Sequence, residues 1–149
     1  MFQDPFNRNF KKLRVSLTGD CNFACAYCVP SDTKLIKNHE PRATNTNSIY
    51  KLSSPIDVQE TIFAIQSLHN ILKLETIHLT GGEPLLYFQL DTLLGAIQHL
   101  NIVIKLTTNG FLLSQKAVLL KEHNVKHINV SLDAVDQELF LPYTKAVFT

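Results

Sequence analysis

Three cysteines lie within eight residues of one another, and they are the only cysteines in the chain. Cys21, Cys25 and Cys28 form the pattern CxxxCxxC. An odd number of cysteines packed this closely does not suit an ordinary disulfide framework and indicates metal ligands. Three thiolates without a fourth suit a [4Fe-4S] cluster that leaves one iron without a protein ligand, and an open iron can bind a substrate.

A zinc site is an alternative interpretation of the same cysteines. Its fourth ligand would be His39, on the polar segment that follows. Structural zinc sites usually pair their cysteines as two CxxC knuckles, and the sequence contains no second knuckle. Buried cysteines without any ligand are the remaining alternative.

The elements that must position these cysteines alternate between strands and helices. Apolar and polar residues alternate in four short segments that we predict as strands, namely residues 13–18, 76–80, 102–107 and 127–132. The first helix is predicted to start with Ser54 as N-cap, Pro55 at its first position and Asp57 as an acid in the first turn, and to reach Lys73. A stripe of leucines and an isoleucine predicts the second helix, at Leu90, Leu93, Leu94 and Ile97. The third spans about residues 114–123, with Asn124 suited to its C-cap.

The resulting order, β-α-β-α-β-α-β, predicts an α/β fold with parallel strands joined by right-handed crossovers. A barrel and a doubly wound sheet both satisfy this order. In either fold the ligand site lies beyond the C-terminal ends of the strands. Each predicted strand ends there in a polar or glycine-containing turn, at residues 21–28, 81–84, 107–110 and 131–133.

The bulk composition narrows the classes of partner. A chain of 149 residues with 45% hydrophobic residues suits one domain, which we place at residues 1–149, with a long polar loop at 31–53. The net charge of +1 and the lack of any long Lys/Arg block argue against nucleic acid as a partner. No apolar run approaches the roughly 18 residues that cross a bilayer, so we expect no membrane span and a cytoplasmic protein, where reduced thiols persist.

Two motifs in this order resemble the radical S-adenosylmethionine (SAM) superfamily. One is the CxxxCxxC loop after the first strand, with the aromatic Tyr27 just before the last cysteine. The other is Gly81-Gly82-Glu83-Pro84, which resembles the GGEP segment that meets the SAM amino group in that superfamily. Further segments are similar to the GTP 3',8-cyclase family of molybdenum-cofactor biosynthesis, at residues 4–8, 13–18, 107–110 and 129–133.

The resemblance implies a fold, cofactors and an activity. The fold would be a partial TIM-like radical SAM barrel, of which this chain holds four parallel β/α units, and the cofactors a [4Fe-4S] cluster and SAM. The reduced cluster would pass one electron to SAM and yield a 5'-deoxyadenosyl radical that abstracts hydrogen from the substrate. The enzyme would be a lyase that rearranges GTP to a cyclic pyranopterin, and its electron donor a protein such as flavodoxin or ferredoxin.

The resemblance also assigns roles to single residues. It makes Cys21, Cys25 and Cys28 the cluster ligands, and no other residue catalytic. The SAM contacts would be Tyr27, Gly81, Gly82, Glu83 and Ser131. Arg14, Thr107 and His78 would meet the substrate, with His78 where the family usually has an arginine, so we expect His78 to point to the substrate side of the sheet.

The chain also departs from the family, because the C-terminal half of the barrel and the second-cluster region are not in it. We therefore expect this truncated chain not to convert GTP alone, and either to need a partner chain or to self-associate through an exposed fourth strand. The alternatives are a radical SAM enzyme with another substrate, such as a peptide or a different purine, and a non-catalytic fragment.

Overall fold

The computed structural model describes residues 3–23, 25, 28 and 56–132. Within these residues the chain forms one parallel sheet of four strands with the order β1-β2-β3-β4. The strands are β1 (Lys12–Ser16), β2 (Thr76–Thr80), β3 (Val103–Thr108) and β4 (His127–Val130). The helices are α1 (Val58–Leu72), α2 (Leu90–Ile97) and α3 (Leu113–Glu122), with short 3-10 turns at Pro84–Leu86 and Gln98–Leu100. Tyr27, His39 and the polar loop at 31–53 lie outside the described residues.

The predicted alternation of strands and helices is confirmed, and the strand order decides between the two folds that the sequence left open. A doubly wound sheet reverses its strand order at a switch point, whereas here each strand pairs with the next in the sequence. Right-handed crossovers that all advance in one direction place every helix on the same face of the sheet. One core cluster accordingly contains side chains from all three helices. The architecture is therefore a segment of a TIM-like barrel.

The two faces of the sheet differ in polarity because strand residues point alternately to opposite sides. Ile77 and Leu79 of β2 are completely buried, and they pack in the same cluster as Val58 and Ile65 of α1. We call the opposite side, which carries His78, the concave face. Every second residue of each strand lies on this face, and most of these residues are polar.

Helix α1 begins at Val58, three residues after Pro55, which the sequence predicted as its first residue. Its N-cap is Asp57, whose carboxylate accepts a hydrogen bond from the Glu60 N–H at 2.9 Å. The acid that was predicted to lie in the first turn is thus the cap itself, because its extended backbone and short side chain suit that position. Ser54 and Pro55 lie outside the described residues. The helix ends where Lys73 adopts a left-handed conformation with φ of 54° and donates to the His69 carbonyl.

The other boundaries agree with the predictions to within two residues, and hydrogen bonds explain part of the difference where there is one. Strand β1 ends at Ser16, yet the Leu17 N–H still donates to the Thr80 carbonyl at 2.9 Å. Helix α3 has His123 as its C-cap, and Asn124 takes the next position in the left-handed region, with φ of 56°. The three helices contain 15, 8 and 10 residues, and in the described part of the chain none is both long and apolar enough to cross a membrane.

Candidate functional site

The turns that follow β1 and β2 are joined by backbone hydrogen bonds. The Gly82 N–H donates to the Thr18 carbonyl and the Glu83 N–H donates to the Asp20 carbonyl, each at 2.7 Å. Asp20 directly precedes Cys21, so these bonds fix the path of the chain as it enters the cysteine loop. The turns after β1 and β2 therefore lie side by side at the C-terminal end of the sheet, where the fold was expected to place a ligand site.

The two glycines of the β2 turn are required by this close approach. A Cβ atom on Gly82 would lie 2.3 Å from the Asp20 carbonyl oxygen, and one on Gly81 would lie 2.5 Å from that of Thr18. Gly81 also has φ of 147°, which side-chain-bearing residues rarely adopt. The resemblance assigned both glycines to SAM contacts. In the structure they first allow one strand end to approach another.

Glu83 is completely buried and braces the ends of β2 and β3. Its Oε1 accepts hydrogen bonds from the Leu85 N–H at 2.9 Å and from the Thr108 hydroxyl at 2.7 Å. Its Oε2 accepts from the Asn109 N–H at 2.8 Å. A buried carboxylate needs such donors to compensate for its lost hydration. The side chain is thereby committed to protein groups, and its predicted contact with SAM stays a prediction.

Asn109 connects the turn after β3 to the cysteine loop. Its side-chain Oδ1 accepts from the Phe111 N–H at 3.0 Å, while its Nδ2 donates to Asn22 Oδ1 at 2.8 Å and faces Cys21 Sγ at 3.8 Å. We did not single out this residue from the sequence. The signal was present in the strand-end segment at 107–110, because an asparagine amide carries both donors and acceptors.

None of the three cysteines is in a disulfide, and they differ in exposure. Cys21 and Cys25 are half-buried and Cys28 is exposed, and the Cys28 N–H donates to the Cys25 carbonyl at 2.9 Å. Burial raises the pKa of the Cys21 thiol, while the Phe23 N–H, 3.4 Å from its sulfur, acts in the opposite direction. Donors directed at a sulfur stabilise a thiolate, which is the form that binds a metal.

This donor set fits an iron-sulfur cluster. Among the described residues no three His, Cys, Asp or Glu side chains are already gathered around one point as ligands of a single metal ion. The thiolates of a cubane each bind a different iron, so they need not converge on one point. Cys28 is exposed and Cys21 and Cys25 are only half-buried, so none of the three residues is enclosed in the core.

A row of basic residues crosses the concave face. The strand register aligns Arg14 with His78, His78 with Lys105, and Lys105 with His127. His78 points away from the helices, as predicted, because its neighbours Ile77 and Leu79 are the residues that pack against them. Its Nε2 is 2.7 Å from the hydroxyl of Thr107, and its contact with a substrate stays a prediction. Burial, followed by the charges of Arg14 and Lys105, lowers the pKa of His78 below its ordinary value of 6.5.

Lys105 and His127 belong to this row, although sequence reasoning did not select them. The signal was the two-residue alternation of their strands, but the register that brings them level with His78 exists only in the folded sheet. Ser131 follows β4 at the same end as the cysteine loop, where it is exposed and its N–H donates to the Thr108 carbonyl at 2.9 Å. The roles assigned to Ser131, Arg14 and Thr107 stay predictions.

A groove of about 440 Å³ lies away from these turns, between β1 and α1. Its walls include Arg14, Val15, Ala64 and Leu68. None of the residues that follow β2 or β3 lines it. The chemistry of the cysteine loop therefore does not belong to this groove.

Comparison with known proteins gives a family and relatives. The family model of the Radical SAM superfamily matches residues 15–148. A GTP 3',8-cyclase of Synechocystis is 38% identical over 142 residues, which is 95% of this chain and 39% of the relative. A GTP 3',8-cyclase of Staphylococcus aureus is 31% identical over 140 residues, covering 93% of this chain and 38% of the relative.

Solved structures show the same fold. SuiB of Streptococcus suis bound to the precursor peptide SuiA matches with a TM-score of 0.64 and 20% identity, over 91% of this chain and 27% of SuiB. SuiB bound to S-adenosylmethionine matches with a TM-score of 0.61 and 22% identity, over 91% and 26% of the two chains. At this identity the likeness establishes the fold, and it confirms the predicted TIM-like arrangement.

The family assignment follows from the extent of the match. The chain spans less than two fifths of the length of the two cyclases, at 39% and 38%. The superfamily match nevertheless covers residues 15–148, which include all three cysteines and all four strand ends. Enzymes of this superfamily use a [4Fe-4S] cluster and SAM. The chain belongs to the radical SAM superfamily.

Proposed function

We propose that Cys21, Cys25 and Cys28 hold a [4Fe-4S] cluster and that SAM binds at the open iron. The observation that carries this proposal is the attachment of the cysteine loop to the ends of β2 and β3. The Glu83 backbone bonds to Asp20, which precedes Cys21, and the Asn109 side chain bonds to Asn22. Three strand ends thus contribute to one site, as ligand sites in barrels require. When bound, such a cluster supplies the electron for the reductive cleavage of SAM.

The residues around the cysteine loop would orient SAM. In this proposal Tyr27, Gly81, Gly82, Glu83 and Ser131 contact it. Gly82 and Ser131 are exposed at the strand ends, which supports their part in it. The side chain of Glu83 would act by holding the turn, because its oxygens already accept three hydrogen bonds.

GTP is the substrate that we propose, with conversion to the cyclic pyranopterin of molybdenum-cofactor biosynthesis. Arg14, His78 and Thr107 lie on the concave face, and Lys105 adds a second permanent cation to them. The alternate residues of β1 to β4 that line this face include no Asp or Glu. A cationic surface without carboxylates suits phosphate groups. The two relatives named GTP 3',8-cyclase support the same substrate.

Several further parts of the proposal concern the whole protein. Residues 1–149 would be the N-terminal portion of a radical SAM core, and the electron donor would be a flavodoxin or a ferredoxin. Strand β4 pairs with β3, and it presents Ile128 and Val130 at 38% and 48% exposure, which favours association through this strand with another polypeptide or a second copy. A cytoplasmic location would keep the thiols reduced.

The test of the cofactor is anaerobic reconstitution with iron and sulfide. We expect about four irons per chain, and loss of iron binding in Cys25→Ala. Asn70→Ala, on the exposed side of α1, is the control for handling and should load fully. One tightly bound zinc per chain that iron does not displace would contradict the cluster.

The test of the reaction is to supply the reduced protein with SAM and GTP and to measure the formation of 5'-deoxyadenosine and of the cyclised nucleotide. A fully loaded protein supplied with a C-terminal half from a related cyclase that forms 5'-deoxyadenosine but no cyclised nucleotide would contradict the substrate, and absence of both products would contradict the cleavage of SAM.

A further inference from the structure

We infer that Asn109 is a positioning residue that holds the Cys21 sulfur and, by donating a hydrogen bond to it, raises the reduction potential of the cluster. This inference rests on the proposed function, in which Cys21 is a cluster ligand. The two residues lie 88 positions apart in the sequence. Asn109 touches the loop from a different strand end, so it acts on the cluster through Cys21.

The orientation of the Asn109 amide follows from its partners. An asparagine amide can be turned by half a rotation, which exchanges its oxygen and nitrogen. Here the Phe111 N–H requires an acceptor and Asn22 Oδ1 requires a donor, at 3.0 and 2.8 Å. Only one orientation satisfies both. It places the NH₂ group on the side of Cys21, 3.8 Å from the sulfur.

The backbone of Asn109 is fixed as well as its side chain. Its N–H donates at 2.8 Å to Glu83, which is completely buried. The Glu83 carboxylate also holds the Thr108 hydroxyl, so two successive residues of the turn are attached to it. A donor held at both its backbone and its amide stays directed at Cys21 without losing further conformational entropy.

A hydrogen bond to a cysteine sulfur changes the electron affinity of an iron-sulfur cluster. Reduction adds negative charge, part of which the thiolate sulfurs carry, and an N–H donor stabilises that charge. Outer-shell donors of this kind tune metal sites in general. Cys21 is half-buried, and the lower local dielectric strengthens the interaction compared with one in water. The Phe23 N–H, at 3.4 Å, supplies the second donor to the same sulfur.

The experiment measures the reduction potential of the reconstituted chain without SAM, by electron paramagnetic resonance of the reduced cluster at a series of poised potentials. Asn109→Ala removes the donor. Asn109→Asp removes it too but keeps the oxygen that accepts from Phe111. We expect the ratio of reduced to oxidised cluster at a fixed potential to fall about tenfold in Asn109→Ala, which for one electron is a shift of about 59 mV to more negative potential. The added charge should make the fall larger in Asn109→Asp.

Two control variants separate the donor from general damage to the loop. Asn22→Ala removes the Asn109–Asn22 bond but leaves the donor to Cys21 and the Phe111 partner of the amide, so its reduced fraction should fall less than that of Asn109→Ala. Asn70→Ala, on the exposed face of α1, changes an asparagine far from the cysteines.

Each outcome bears on a different statement. If the unmodified chain takes up no cluster, the proposed function is wrong. If the variants take up the same iron as the unmodified chain and their reduced fraction stays within about twofold of it, the inference on Asn109 is overturned while the proposed function stands. If both Asn109 variants lose the iron that Asn22→Ala retains, the positioning role is supported and the role in setting the potential is withdrawn.

Discussion

Replacing the buried Glu83 should lower the unfolding free energy more than replacing an exposed charged residue does. The carboxylate is completely buried and accepts hydrogen bonds from the Leu85 N–H, the Asn109 N–H and the Thr108 hydroxyl. Glu83→Ala leaves a cavity at the ends of β2 and β3 and removes all three acceptor contacts. Glu83→Gln keeps the size of the side chain but places an NH₂ group where one oxygen was.

The expected loss of unfolding free energy follows from the donors that remain. The Thr108 hydroxyl can rotate to another acceptor, whereas the two backbone N–H groups cannot. Each buried donor without a partner costs about 1–3 kcal/mol, so Glu83→Ala should lose about 4 kcal/mol in all. Glu83→Gln should lose about 2 kcal/mol, because one oxygen can keep its two partners while the NH₂ group opposes the Asn109 N–H. A domain is stable by only about 5–15 kcal/mol, so the alanine variant should be close to unfolding.

The assay is urea unfolding followed by far-ultraviolet circular dichroism, since the chain contains no tryptophan. Glu122→Ala, at the exposed end of α3, is the matched control and should stay within about 0.5 kcal/mol of the unmodified chain. The reasoning would be refuted if Glu83→Ala lost less than about 1 kcal/mol, because the three hydrogen bonds would then contribute no more than surface contacts do.

Two other predictions concern backbone packing and pH. Gly82→Ala should lose about 1–3 kcal/mol because its Cβ would lie 2.3 Å from the Asp20 carbonyl oxygen. Gly95→Ala in α2 is the control, because its Cβ would meet only a side-chain atom at 3.5 Å, and its unfolding free energy should rise by about 0.5–1 kcal/mol. Equal changes in unfolding free energy for the two glycine variants in urea would contradict the packing argument. The pKa of His78 is lowered below 6.5 by burial and then by its two cationic neighbours, so its imidazole binds its proton more readily in the unfolded chain. Unfolding free energy should therefore fall as pH drops from above 6.5 towards the lowered pKa, and less so in His78→Gln. The difference in unfolding free energy between the unmodified chain and His78→Gln should therefore change with pH. If it is the same at neutral pH and below this window, His78 does not titrate in this way.

Short-range patterns were enough to predict the order of elements and the presence of a cysteine site. Strand alternation depends on a period of two residues, and it located β2 at its observed bounds, Thr76–Thr80. The start of α1 was wrong because Ser54 and Asp57 are both suitable caps, and a sequence alone does not tell which backbone turns first. The cysteine spacing indicated the cluster because all three residues lie on one loop.

The network around the cysteine loop could not be predicted in the same way. Asn109 and Cys21 are 88 positions apart, and Glu83 and Thr108 are 25 apart, so no local pattern links them. The buried charge of Glu83 is acceptable only because the ends of β2 and β3 bring three donors to it.

The sequence by itself determined the order of the elements and placed its candidate residues at the strand ends. Only the tertiary structure decided which of them meet. Lys105 became a neighbour of His78 through the register of β2 and β3, since a shift of one residue would have turned Lys105 to the helix side. The glycines of the β2 turn likewise proved to serve the approach of two backbones, because that distance is set by strand pairing across 64 residues from Thr18 to Gly82 rather than by the turn itself.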